Sequence, residues 1–165
     1  MNHGPRVAFV ALGSNLDAPR DQVERAFEAL AALPGTTQTA RSRLYRSPPL
    51  GPADQPDFVN AVARLDTTLP PRALLDALLG IERAHGRRRD GVRWGPRTLD
   101  LDLLLHGDTV LDEPGLTLPH PGLTTRAFVL YPLAELAPDL GIPGAGPLRA
   151  LVARIPAGEL AAIED

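Results

Sequence analysis

An α+β domain with the element order βαββαβ is the fold class this sequence predicts, and three observations predict it. Short runs rich in β-forming apolar residues, such as RVAFVAL at 6–12 and LDLDLLL at 99–105, are interleaved with two segments whose apolar residues recur at helical spacing. Glycine, proline and asparagine close most of these runs, as turns require. The 165 residues, 44% of them hydrophobic, suffice for a substantial core without disulfides, which a chain with no cysteine cannot form.

Arg6 to Leu12 reads as a buried strand ended by Gly13-Ser14-Asn15. Asp17 can cap the helix that follows, Pro19 suits its first turn, and Val23, Phe27, Leu30 and Ala31 form an apolar stripe before Pro34-Gly35 stops it. Thr36 to Arg46, rich in threonine and roughly alternating, reads as a second strand, and the prolines between Ser47 and Pro56 impose a shaped loop. Asp57 to Thr67 is a third strand, with Val59, Ala61, Ala63 and Leu65 on one side and Phe58, Asn60 and Val62 on the other. Pro70-Pro71 opens a second helix whose stripe is Leu74, Leu75, Leu78 and Ile81, ending near Gly86. The strand from Leu99 to Leu105 completes the split, ferredoxin-like arrangement. With both helices on the sheet face of Val59, Ala61, Leu101 and Leu103, the opposite face carries Phe58, Asn60, Asp100 and Asp102 as an exposed site.

One domain is expected, with its core at 6–106 and an extension at 107–165. The extension has many prolines and no clear periodicity. It reads as a small hairpin (Thr109–Val110 with Leu116–Leu118), one or two short helices within Leu123 to Ala137 and another at Arg149–Ala153, without a core of its own.

The chemistry concentrates at residues 86–98, where Arg87, Arg88, Arg89, Arg93 and Arg97 face a single acid, Asp90, and where the following strand begins with Asp100-Leu101-Asp102. Side chains two apart in a strand share a face, so the two carboxylates converge and repel unless a cation joins them. Mg²⁺ is the expected cation, since it takes hard oxygen ligands from one or two carboxylates and from substrate phosphates. The pattern therefore reads as a polyphosphate site with its metal. All 17 basic residues are arginine, which excludes the lysine-dependent phosphate loop, and the net charge of −3 argues against broad nucleic-acid binding. No signal-peptide pattern or membrane-length apolar run is visible, so a soluble, cytoplasmic protein is expected.

The segments ALGSNL (11–16), YRSPPLGPADQPDFVNAV (45–62), RWGPRTLDLDLLL (93–105) and LPHPGLTTRAFVL (118–130) occur in an order that closely resembles the 6-hydroxymethyl-7,8-dihydropterin pyrophosphokinases of folate biosynthesis. The resemblance runs from about residue 7 to about residue 137. It implies the ferredoxin-like fold and the transfer of a diphosphate from ATP to 6-hydroxymethyl-7,8-dihydropterin, with release of AMP. By the same resemblance, Asp100 and Asp102 ligate two Mg²⁺ ions, and Arg87 and Arg97 join them as catalytic residues. The resemblance assigns ATP contacts to Glu82, Arg87, Arg89, Arg93, Trp94, Arg97, Leu103, Thr117, His120 and Arg126. It assigns pterin contacts to Ser47, Pro48, Leu50, Phe58, Asn60, Trp94 and Phe128, the two phenylalanines as stacking walls and Trp94 as a lid residue. Leu79, Pro121 and Phe58 depart from residues common in the family. The expected partners are these two small molecules alone, bound by a monomer that engages neither nucleic acid nor membrane.

Two other readings fit parts of the pattern. A ferredoxin-like module that binds nucleotides or RNA without catalysis would use the sheet-face aromatics, but its acidic pair would repel a phosphate backbone. A metal-dependent phosphohydrolase would use the same acids, but the segments resembling pterin contacts would have no role.

Overall fold

A computed structural model describes residues 4–16, 18–48, 56–85 and 99–163. Strand β1 (Arg6–Ser14), helix α1 (Pro19–Ala31), strands β2 (Thr36–Arg41), β3 (Tyr45–Ser47) and β4 (Phe58–Thr67), helix α2 (Pro71–Ala84) and strand β5 (Asp100–His106) follow in the expected order. Beyond them come β6 (Leu111–Glu113), β7 (Leu116–Leu118), α3 (Ala127–Leu136), β8 (Gly141–Ile142), β9 (Gly146–Pro147), α4 (Leu148–Arg154) and β10 (Ala161–Ala162). The main sheet runs β10-β3-β4-β1-β5, with β2 also on β4, and every pairing is antiparallel. This is the α+β, ferredoxin-like fold.

The strand expected over 36–46 is two strands, and Ser42 explains the break. Its amide donates to the Val62 carbonyl (2.9 Å) and its hydroxyl accepts the Val62 amide (2.9 Å), so a side chain replaces the next rung of the ladder. Helix α1 begins after Ala18, which occupies the cap position with φ 62° and no side-chain cap bond, while Asp17 lies outside the described residues. Its stripe takes Ala26 in place of the expected Ala31, which is exposed.

Helices α1 and α2 cover one face of the sheet through Val23, Phe27, Leu30, Leu74, Leu78 and Ile81, packed on Val59, Ala61, Ala63, Leu65, Leu101 and Leu103. The other face is not open along its length, which corrects the expectation of an exposed sheet face. Leu123, Val129, Leu130 and Leu133 join Leu148 and Leu151 in a second apolar cluster on Phe9, Ala11, Val62, Leu104 and Leu105. A bulge explains how β5 serves both clusters. The register passes from Val10 opposite Leu103 to Phe9 opposite Leu105, so Leu104 is the extra residue and Leu105 turns away from the face of Leu101 and Leu103. The run of three leucines at 103–105 is where strict alternation fails. No helix among the described residues is long and apolar enough to cross a membrane.

Candidate functional site

Strand register assembles the site. Tyr45 lies opposite Asn60, Asn60 opposite Gly13, and Gly13 opposite Asp100, so four strands contribute to one row at the end of the sheet. The next row on that face is Val62, Ala11 and Asp102. Adjacent strands are separated by about 4.8 Å, which puts Asn60 and Asp100 roughly 10 Å apart with Gly13 between them. A Cβ on Gly13 would stand 3.6 Å from Asn60 Oδ1 and 3.7 Å from Phe58 Cδ1, so glycine keeps the floor between the amide, the aromatic ring and the carboxylates low. Asn15 donates through Nδ2 to the Pro56 carbonyl (3.1 Å), holding the end of β1 against the approach to β4.

Asn60 is buried, and its Nδ2 donates to Ser47 Oγ (2.8 Å) and to the Tyr45 carbonyl (3.5 Å). Its donor is thereby committed to β3, and the acceptor Oδ1 is turned over Gly13. Ser47 is itself buried and Pro48 exposed. Phe58 is half-buried on the same face as Asn60. Phe128, on the first turn of α3, packs against the cluster that contains Ala11 and Val62, which borders the row of Asp102.

Asp100 and Asp102 are both partly exposed, with the buried Leu101 between them. His120 Nε2 stands 3.6 Å from Asp102 Oδ1, within ion-pair range but beyond hydrogen-bond reach. The Gly122 amide donates to His120 Nδ1 (3.0 Å), so Nδ1 is an acceptor and the ring proton sits on Nε2, the nitrogen nearer Asp102. The His120 amide donates to the Leu104 carbonyl (3.0 Å), tying this turn to β5. Arg126 packs its guanidinium so closely on Gly122 that a Cβ there would approach its Cζ to 2.6 Å, and the same guanidinium lies 5.9 Å from the Phe128 ring centroid.

Glu82 is buried, and its Oε2 accepts the Leu101 amide at 2.7 Å. Leu103 belongs to the core under α1 and α2, so its side chain lies on the face away from the aspartates. Thr117, in the β6–β7 hairpin, donates to Asp112 Oδ1 at 3.4 Å. Leu50, Arg87, Arg88, Arg89, Arg93, Trp94 and Arg97 lie outside the described residues.

Sequence reasoning passed over two features. The sequence places the end of the first strand at Gly13, whereas β1 continues through it and pairs on both sides. Glu135 was given no role, yet its carboxylate accepts from the Tyr45 hydroxyl (2.5 Å), the Arg43 amide (2.9 Å) and Arg43 Nε (3.2 Å), joining α3 to the edge of β3. Burial, followed by the Glu135 carboxylate, pushes the Tyr45 phenol above its usual pKa. Only the register of β3 on β4 brings these residues near the site, and no local pattern announces it.

Among the described residues, no group of three or more His, Cys, Asp and Glu side chains encloses a metal position. Two carboxylates on one strand face fit Mg²⁺ better than a self-sufficient cage would, because that ion keeps most of its shell for water and phosphate oxygens.

A family model described as 7,8-dihydro-6-hydroxymethylpterin-pyrophosphokinase matches residues 9–138. The 2-amino-4-hydroxy-6-hydroxymethyldihydropteridine pyrophosphokinase of Pseudomonas aeruginosa is 59% identical over 148 residues, covering 90% of this chain and 91% of that one. The Haemophilus influenzae protein of the same name is 48% identical over 145 residues, with 88% and 90% covered. Among solved structures, the Plasmodium falciparum HPPK-DHPS with pteroate aligns with a TM-score of 0.70 at 13% identity, covering 91% of this chain. An HPPK-DHPS in complex with substrates aligns with a TM-score of 0.73 at 11% identity, covering 92% of this chain. Those similarities concern the fold alone, and the present chain spans 42% and 43% of the two structures' longer chains.

Proposed function

The chain belongs to the 7,8-dihydro-6-hydroxymethylpterin-pyrophosphokinase family, and from that premise we propose that it transfers a diphosphate from ATP to 6-hydroxymethyl-7,8-dihydropterin at the sheet end bearing Asp100 and Asp102. The observation that carries the proposal is the row Asn60, Gly13, Asp100. It sets an amide acceptor suited to a flat heterocycle one low floor away from a carboxylate pair suited to a metal–polyphosphate.

The pterin stacks between Phe58 and Phe128, with Asn60 Oδ1 accepting from its edge and Ser47 holding the amide in that orientation. The hydroxymethyl oxygen attacks the β-phosphorus in line, the bond from that phosphorus to the α,β-bridging oxygen breaks, and AMP leaves as the hydroxyl proton is released. Two Mg²⁺ ions, when held by Asp100 and Asp102, supply charge neutralisation and alignment of the phosphate oxygens. His120, with its proton fixed on Nε2, donates to a phosphate oxygen, and Arg126 adds a planar, permanently charged fork beside it. By the family resemblance, Arg87, Arg89, Arg93, Arg97 and Thr117 are assigned to ATP, Pro48 and Leu50 to the pterin, and Trp94 to both substrates.

Replacing Asp102 with alanine tests the assignment. AMP formation should fall by several orders of magnitude while the circular dichroism spectrum stays that of the wild type. A folded, fully active variant would remove the aspartate pair from the mechanism.

A further inference from the structure

Among the described residues, strand β5 pairs with β1 on one side only, and its other edge has no strand partner there. An unpaired edge exposes main-chain groups that must be satisfied or covered. On this edge the His120 amide meets the Leu104 carbonyl, and nearer the site the Glu82 carboxylate, on the last turn of α2, takes the Leu101 amide at 2.7 Å. Glu82 is 3% exposed, and a carboxylate so deeply buried is retained only where hydrogen bonds compensate the loss of water. The amide it holds is that of the residue between Asp100 and Asp102, in the peptide plane joining Leu101 to Asp100.

We propose that Glu82 is a positioning residue for the diphosphotransfer site: by anchoring the Leu101 amide it fixes the backbone from which Asp100 and Asp102 project together. The inference rests on the proposed role of those two aspartates. It assigns Glu82 to the strand behind the phosphates, through the reach of its side chain to the Leu101 amide. The helix that ends at Ala84 thereby sets the orientation of the acidic pair. Groups standing behind metal ligands commonly alter metal affinity or activity by about 10–100-fold when removed.

Two conservative variants separate reach from charge. Glu82→Asp keeps the charge but is one methylene short of Leu101, whereas Glu82→Gln keeps the reach and an acceptor oxygen. In the metal-free full-length protein, Leu101 amide exchange followed by NMR should accelerate in Glu82→Asp and stay slow in Glu82→Gln. In the assay, Glu82→Asp should lower kcat and raise the Mg²⁺ concentration for half-maximal rate by about 10–100-fold, with the pterin KM little changed, while Glu82→Gln, which keeps the bond to the Leu101 amide, should lose less on both counts. The opposite order of the two variants would make charge the operative property and overturn the proposal. So would slow Leu101 exchange in Glu82→Asp, or a drop in thermal midpoint with Mg²⁺ dependence unchanged. A wild-type protein that forms no AMP would instead contradict the diphosphotransfer reading, and amide exchange would still decide the Glu82 contact.

Discussion

The side chains around the site are held by bonds that each fix one degree of freedom. Ser47 settles which way the Asn60 amide points, and the Gly122 amide settles which nitrogen of His120 bears the proton. Gly122 has a second task, because Arg126 rests where its Cβ would be. Gly122→Ala should therefore displace the guanidinium, raising the ATP KM severalfold while leaving the thermal midpoint nearly unchanged; an unaltered KM would separate Arg126 from the nucleotide. His85, at the end of α2, has its Nδ1 2.6 Å from Gln22 Oε1, and burial, aided by Arg25, holds its pKa below the ordinary 6.5. A histidine with a depressed folded pKa takes up its proton first in the unfolded chain, so it subtracts stability as pH falls below about 6.5. His85→Gln should flatten this part of the stability–pH curve, and equal slopes for variant and wild type would refute the assignment. The acidic pair and Asn60 were legible in the sequence because alternation alone assigns a strand residue to a face. The partners of Asn60 and Glu82 were not, since Ser47 and Leu101 lie across a register that one segment does not encode.

Elements meet at the site because β3, β4, β1 and β5 all end there, and α3 lies across the same face. The Tyr45–Glu135–Arg43 contacts join α3 to β3, and thus Phe128 on the helix to Asn60 beside the strand. Glu135→Ala leaves the nearly buried Tyr45 hydroxyl without its acceptor, which should cost about 1–3 kcal/mol in denaturant unfolding. It should also raise the pterin KM more than the ATP KM, and equal effects on both would show that α3 is not held for the pterin. The helices were readable from their stripes and the strands from their β-formers. The break at Ser42 was not readable, because a serine within a threonine-rich alternating run gives no sign that its side chain will take a rung of the ladder. The bulge at Leu104 is encoded only as a loss of alternation, which periodicity alone cannot place on a face.

At the scale of the molecule, the described residues cover both faces of the sheet, and Asp100 and Asp102 remain partly exposed at one end. Helices α1 and α2 seal one side, and the proline-rich extension seals much of the other through a second apolar cluster shared with the sheet. That second cluster escaped the sequence reading because its apolar residues are dispersed among short helices and turns and become contiguous only against Phe9, Ala11 and Val62. Its consequence for the site is that α3 packs on Ala11 and Val62, in the row of Asp102. The most direct test of the proposed activity is nucleotide product analysis after incubation with ATP, Mg²⁺ and 6-hydroxymethyl-7,8-dihydropterin, with controls lacking the pterin or the metal. Diphosphate transfer predicts AMP, formed only when both are present. ADP as the product, nucleotide cleavage without the pterin, or no product from folded protein would contradict it.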